Sequence, residues 1–128
     1  MAHILIVDDE QPIREVIAAA LKSAGHTTVE AGDGQEAAQK IYAGKFDLMI
    51  IDLVMPERNG LETIMRLQHE KNPIRVIAIT GVPLESRLYL KIAERLGASR
   101  TLAKPFTPLE LQEAVNEVLA QPARKDQV

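Results

Sequence analysis

Ile4-Leu5-Ile6-Val7-Asp8-Asp9 is a short apolar run that ends on two carboxylates, and from Ile13 the chain turns to a helical spacing through Val16, Ile17, Ala20, Leu21 and Ala24. Four consecutive apolar residues fit a strand buried on both faces. The i, i+3, i+4, i+7 spacing that follows fits one face of an amphipathic helix. The same unit recurs along the chain. Further short runs lie at residues 27–30, 48–51, 76–79 and 100–103. Helical spacing returns in Leu61, Ile64 and Met65, in Ile92, Ala93 and Leu96, and in Leu111, Ala114, Val115 and Val118. Strands joined by helices need crossover connections, so the pattern predicts an α/β fold: a five-stranded parallel sheet with five helices on both faces. The runs at 27–30 and 100–103 carry polar residues and read as edge strands. With right-handed crossovers, that leaves 2-1-3-4-5 as the natural strand order.

The punctuation agrees with this reading. Gly25, Gly44 and Gly97 each stand just past a helical stretch, where a left-handed residue is expected. Asn72-Pro73 ends the third helix, Asp33-Gly34 opens the second, and Thr107-Pro108-Leu109-Glu110 has the form of a capping box with proline at the first helical position. The 128 residues suit one domain, placed at 1–120, with a polar tail at 121–128.

Composition narrows the function classes. Fifteen basic and 18 acidic residues leave a net charge of -3, which removes the electrostatic footprint of a nucleic-acid binder. Aromatic residues make up 3% of the chain, so base-stacking platforms are poorly supplied. The absence of cysteine excludes disulfides and thiolate chemistry and suits a cytoplasmic protein, and no apolar run is long enough to span a membrane.

In an open parallel sheet, ligands sit beyond the carboxyl ends of the strands, beside the point where strand order reverses. The residues there are Asp8 and Asp9 after the first strand, Asp52 after the third, Thr80 after the fourth and Lys104 after the fifth. The second strand ends in Glu30-Ala31-Gly32 and offers no evident group. Converging carboxylates repel one another unless a cation lies among them, and oxygen ligands of this kind favour Mg2+ or Mn2+. With a lysine and a hydroxyl beside them, they form a site suited to a phosphoryl group, with Asp52 as the nucleophile. Each residue alone has an ordinary alternative: Asp9 as a helix cap, Asp52 and Thr80 as turn residues, Lys104 as a solvated charge. The joint placement favours the site.

Four segments together resemble the response-regulator receiver domains of two-component signalling, and the stand-alone chemotaxis-regulator-like members among them. They are Ile4 to Glu10, Leu48 to Pro56 with Asn59-Gly60, Ile79-Thr80-Gly81, and Lys104-Pro105-Phe106. The resemblance covers Ile4 to about Leu119. It implies a flavodoxin-like fold and a phosphorylation-controlled switch whose phosphoacceptor is Asp52, supplied by a sensor histidine kinase, a histidine phosphotransfer protein or a small phosphodonor. It also implies Mg2+ bound by Asp9, by Asp8 through water, by Asp52 and by the carbonyl of Val54. Thr80 and Lys104 would contact the phosphoryl group, Gly81 would keep the approach open, and Lys104-Pro105 would be a cis peptide. A chain of this kind catalyses its own phosphorylation and dephosphorylation and binds a downstream protein, or a second copy, through the fourth helix, fifth strand and fifth helix.

Thr101 departs from the family pattern, standing where many receivers carry a Tyr or Phe that reports phosphorylation to the surface. The resemblance also implies that Val54 and Val82 flank the path of hydrolytic water, as the residues two beyond the acceptor and the hydroxyl residue do in receivers, which predicts a long-lived phosphorylated form. The remaining features read as ordinary: His3, His26 and His69 are scattered, Met49, Met55 and Met65 suit core filling, and Arg87, Lys91 and Arg95 suit a solvated face. The runner-up is a flavodoxin-like ligand binder or electron carrier, but the chain lacks a glycine-rich phosphate loop after the first strand.

Overall fold

The computed structural model of the chain describes residues 1–53, 60–81, 88 and 91–122. Val54, Met55, Pro56, Asn59, Val82, Arg87 and the expected tail from residue 123 lie outside the described residues. Strands β1 (His3–Val7), β2 (Thr27–Ala31), β3 (Leu48–Asp52), β4 (Arg75–Thr80) and β5 (Arg100–Ala103) form one sheet in the order β2-β1-β3-β4-β5, every neighbouring pair parallel. The helices are α1 (Gln11–Ser23), α2 (Gly34–Ala43), α3 (Gly60–His69), a helical stretch at 91–95 that we label α4, and α5 (Pro108–Leu119).

Period-two alternation splits the central strands between two cores. Ile4, Ile6, Leu48, Ile50, Ile77 and Ile79 pack with Ile17 and Leu21 of α1 and with Leu111, Ala114, Val115 and Val118 of α5. Leu5, Val7, Met49, Ile51, Val76 and Ala78 face the other way, against Ala37 and Ile41 of α2, Leu61, Ile64 and Leu67 of α3, and Ala93 of α4. Burying one Leu or Ile contributes about 1.5–3 kcal/mol, so these two layers dominate the favourable side of folding. β3 is buried along its whole length, whereas β2 and β5 are partly exposed, as expected of edge strands.

The helix ends follow their sequence signals with one exception. Asp33 caps α2 by accepting from the Glu36 amide at 2.8 Å. Thr107 and Glu110 form a reciprocal capping box at 3.1 and 3.2 Å. Gly25 and Gly97 adopt φ of 92° and 98°, but Gly44 is extended at φ -142°. Its amide still closes onto Lys40 O at 3.0 Å, and the chain then leaves α2 directly toward Phe46, so no left-handed turn is needed.

Three apolar assignments also differ, and one of them, Ala24, is exposed as the residue that ends α1. Val16 is 62% exposed and Ala18 is buried instead, because the buried face of α1 centres on Ile17 and Leu21, and Val16 lies about 100° around the helix from Ile17. Met65 is 53% exposed and so is not core filler; Leu67 takes the buried position on α3, while Met49 is buried as expected.

Gly60 is set by steric contact. A Cβ there would lie 2.4 Å from Asp52 O and 3.0 Å from Leu53 Cα, so α3 can begin against the end of β3 only with glycine. Gly60→Ala should cost about 1–3 kcal/mol in overpacking, exceeding a helix-propensity gain of at most about 1 kcal/mol. Gly44→Ala, whose Cβ would meet nothing closer than 3.6 Å, should be nearly neutral. Urea denaturation of the two variants checks the contrast.

His26 adds a pH dependence. Burial, then the nearby positive N-terminus, lower its pKa from 6.5, and its Nδ1 accepts the Ala2 amide at 3.0 Å, a bond that the protonated ring cannot accept. The unfolded chain therefore binds this proton more readily than the folded one. Stability should be full above about pH 6.5 and decline as pH falls through that value toward the lowered folded pKa. His26→Gln should flatten this part of the profile in urea melts taken between about pH 7.5 and 5.5.

Candidate phosphoryl-acceptor site

Each chemical group at the site is delivered by a strand end. Asp52 and Thr80 are the last residues of β3 and β4, so these strands run one residue further than the apolar runs that end at Ile51 and Ile79. Asp8 follows β1 directly, and its amide donates to Ala31 O across to β2 at 3.2 Å. Lys104 follows β5, and its amide donates to Thr80 O at 2.8 Å, so the ladder between β4 and β5 runs up to the site. The Lys104-Pro105 peptide is cis, as the family pattern implies.

Asp8 and Thr80 are fully buried and Asp52 nearly so, whereas Asp9 and Glu10 are exposed. The Lys104 ammonium spans the two buried acids, donating to Asp8 Oδ2 at 2.9 Å and to Asp52 Oδ2 at 2.8 Å. Glu10 Oε1 lies 3.9 Å away, too far for a hydrogen bond. Burial alone would lower the Lys104 pKa, but the hydrogen bonds and charges of Asp52 and Asp8 outweigh it and raise the value, so the group is cationic at neutral pH. A Cβ at Gly81 would lie 3.3 Å from Lys104 Cδ, so the glycine leaves room for the lysine stem.

Asp8, Asp9 and Glu10 bring carboxylate oxygens within 4.8 Å of one another. Asp8, Glu10 and Asp52 each bring an oxygen within 4.0 Å of the Lys104 ammonium, and Asp9 adds a fourth carboxylate beside Asp8 and Glu10. That all-oxygen donor set with excess negative charge fits a hard divalent cation. Glu10, which the sequence marks only as the end of the Ile4 to Glu10 motif, joins the group. Asp9 is not the helix cap: Glu10 holds that position without a side-chain cap, and its amide donates to Asp8 Oδ1 at 2.9 Å. Val54, expected to lend a carbonyl, lies outside the described residues.

The other sequence candidates stay apart from the site. His3 stacks on Phe46 and bonds Thr27 Oγ1, His26 receives the Ala2 amide, and His69 is exposed at the end of α3. Thr101 lies on β5 and donates to Glu94 Oε1 of α4 at 3.4 Å. Among the described residues, no helix is long and apolar enough to cross a membrane.

Comparison with known proteins agrees with this fold. The family profile of the response regulator receiver domain matches residues 4–116. The phosphate regulon transcriptional regulatory protein PhoB of Pseudomonas aeruginosa is 38% identical over 118 residues, which cover 91% of this chain and 51% of that protein. The alkaline phosphatase synthesis transcriptional regulatory protein PhoP of Bacillus subtilis is 32% identical over 116 residues, 91% of this chain and 48% of that protein. The chain therefore spans about half the length of these relatives. Among solved structures, the receiver domain of NtrX from Brucella abortus superposes with a TM-score of 0.86 at 28% identity, covering 92% of this chain and 98% of that one. The Vibrio cholerae chemotaxis protein CheY4 superposes with a TM-score of 0.80 at 30% identity, with coverage of 92% and 98%. With a family match over residues 4–116 and a fold that superposes on solved receiver domains, the chain belongs to the response regulator receiver domain family.

Proposed function

We propose that the chain is a phosphorylation-controlled switch in which Asp52 accepts the phosphoryl group. Receiver domains are phosphorylated by histidine kinases in two-component signalling, and this chain belongs to that class. The observation that carries the assignment to Asp52 is the ion pair with Lys104: a nearly buried carboxylate at the end of β3 is held 2.8 Å from an ammonium that is itself fixed by Asp8. An Asp52 oxygen attacks phosphorus as the donor's P–N bond (phosphohistidine) or P–O bond (acetyl phosphate) breaks. The electron pair leaves with imidazole, which takes a proton, or with acetate.

Lys104 then has a phosphoryl oxygen to pair with, and the buried Thr80 hydroxyl stands at the neighbouring strand end to donate a hydrogen bond. Asp8, Asp9 and Asp52 would hold Mg2+, with the Val54 carbonyl as a further ligand that the family pattern implies. When bound, the ion supplies charge neutralisation for the phosphoryl oxygens. Receivers of this family also hydrolyse their own acyl phosphate, slowly here on the Val54 and Val82 reading, and turnover would be confined to that bond. The chain acts in the cytoplasm and signals through α4, β5 and α5, where Thr101 contacts Glu94 and Arg100 pairs with Glu117. The electron-carrier alternative has no observation in its favour.

Incubation with acetyl phosphate and Mg2+ should add one phosphoryl group by intact mass, and Asp52→Asn should abolish the gain while leaving the fold intact. Undiminished uptake in that variant would reject Asp52 as acceptor.

Removing the lysine tests the electrostatics. Lys104→Met withdraws the cation that two buried carboxylates share, which should cost about 3–5 kcal/mol of stability in metal-free buffer. Added Mg2+ should restore much of the loss, because a second cation can satisfy the same acids. Thermal melts with and without Mg2+ check this, and an equal loss in both would argue against a cation site at these carboxylates.

A further inference from the structure

We propose that Arg14, held by Glu30, is a positioning residue for the cation site, fixing the peptide that joins Asp8 to Asp9. The guanidinium on α1 is 17% exposed at the side chain; its Nη1 donates to Asp8 O at 2.6 Å and its Nε to Glu30 Oε1 at 3.2 Å. Asp8 is therefore held at four points: its amide by Ala31 O, its carbonyl by Arg14, one side-chain oxygen by the Glu10 amide and the other by Lys104. Asp9 begins where Arg14 grips the chain. Glu30 is itself anchored, since its backbone carbonyl accepts from Lys40 of α2, which also pairs with Glu36 at 3.1 Å.

The edge strand β2 supplies no group to the phosphoryl site, yet through Glu30 and Arg14 it aims the acids that do. The planar guanidinium matters, because its fixed fork reaches two acceptors at once, which an ammonium on a flexible stem does less well. The pairing with Glu30 also offsets a positive charge that would otherwise oppose a divalent ion nearby.

This inference rests on the reading of Asp8 and Asp9 as Mg2+ ligands, and the test separates the two. Mg2+ affinity is titrated through the amide resonances of Asp9 and Glu10 in wild type, Arg14→Lys and Arg14→Met, and phosphoryl uptake from acetyl phosphate is followed against Mg2+ concentration. Loss of such an outer partner should weaken Mg2+ about tenfold in Arg14→Met, even though removing a positive charge would by itself tighten binding. Arg14→Lys, with charge unchanged, should fall between that variant and wild type. At saturating Mg2+ the uptake rate should return close to the wild-type value in both.

Equal or tighter Mg2+ binding in Arg14→Met, or a rate deficit that persists at saturation, would overturn the role. If Arg14→Met fails to fold, Arg14→Lys decides alone, and wild-type affinity there would overturn it. A wild type that binds no Mg2+ would sink the metal reading itself, whereas a wild type that binds while the variants match it would sink only Arg14.

Discussion

One ammonium group bridging two buried carboxylates is the constraint on which the rest of the molecule depends. Asp8 and Asp52 lose their hydration at the end of the apolar centre of the sheet, and like charges so placed would repel strongly at low dielectric. Lys104 resolves that conflict with hydrogen bonds of 2.9 and 2.8 Å. In the proposed switch, the pairing holds Asp52 in place before any phosphoryl group arrives. It also links the end of β5 to the ends of β1 and β3, so that a new charge on Asp52 must redistribute the contacts of Lys104. That coupling would be the physical basis of the proposed switch.

The sheet order makes the bridge possible. β1 and β3 are neighbours, and β4 and β5 extend the sheet on the far side, so residues far apart in sequence reach one edge. Gly60 and Gly81 then serve as clearances, one letting α3 close against the Asp52 carbonyl and the other admitting the Lys104 stem. Both cores anchor the strands rigidly, while the site is assembled from residues at or just past their ends.

Much of this was legible in the chain because fully buried strands write themselves as unbroken apolar runs, and the chemistry then falls at their ends. Asp8, Asp52, Thr80 and Lys104 were found that way, and the capping box at Thr107 and Glu110 marked α5 unaided. What escaped depends on contacts between elements. Val16 belongs to the apolar period of α1, but it lies at the edge of the buried face, and periodicity does not show how wide that face is. Gly44 follows a helix without a left-handed turn, since the path onward is set by Phe46 and β3. Arg14 and Glu30 stand sixteen residues apart and meet only because β2 pairs with β1 in register Ile6 to Glu30.

The central claim, that Asp52 is the phosphoryl acceptor, is tested most directly by chemical location of the phosphoryl group. The protein is charged with acetyl phosphate and Mg2+, reduced with borohydride to convert the acyl phosphate to an alcohol, and mapped by peptide mass spectrometry. Homoserine at position 52 alone is the predicted result. Reduction at Asp8, Asp9 or another carboxylate, with Asp52 untouched, would contradict it.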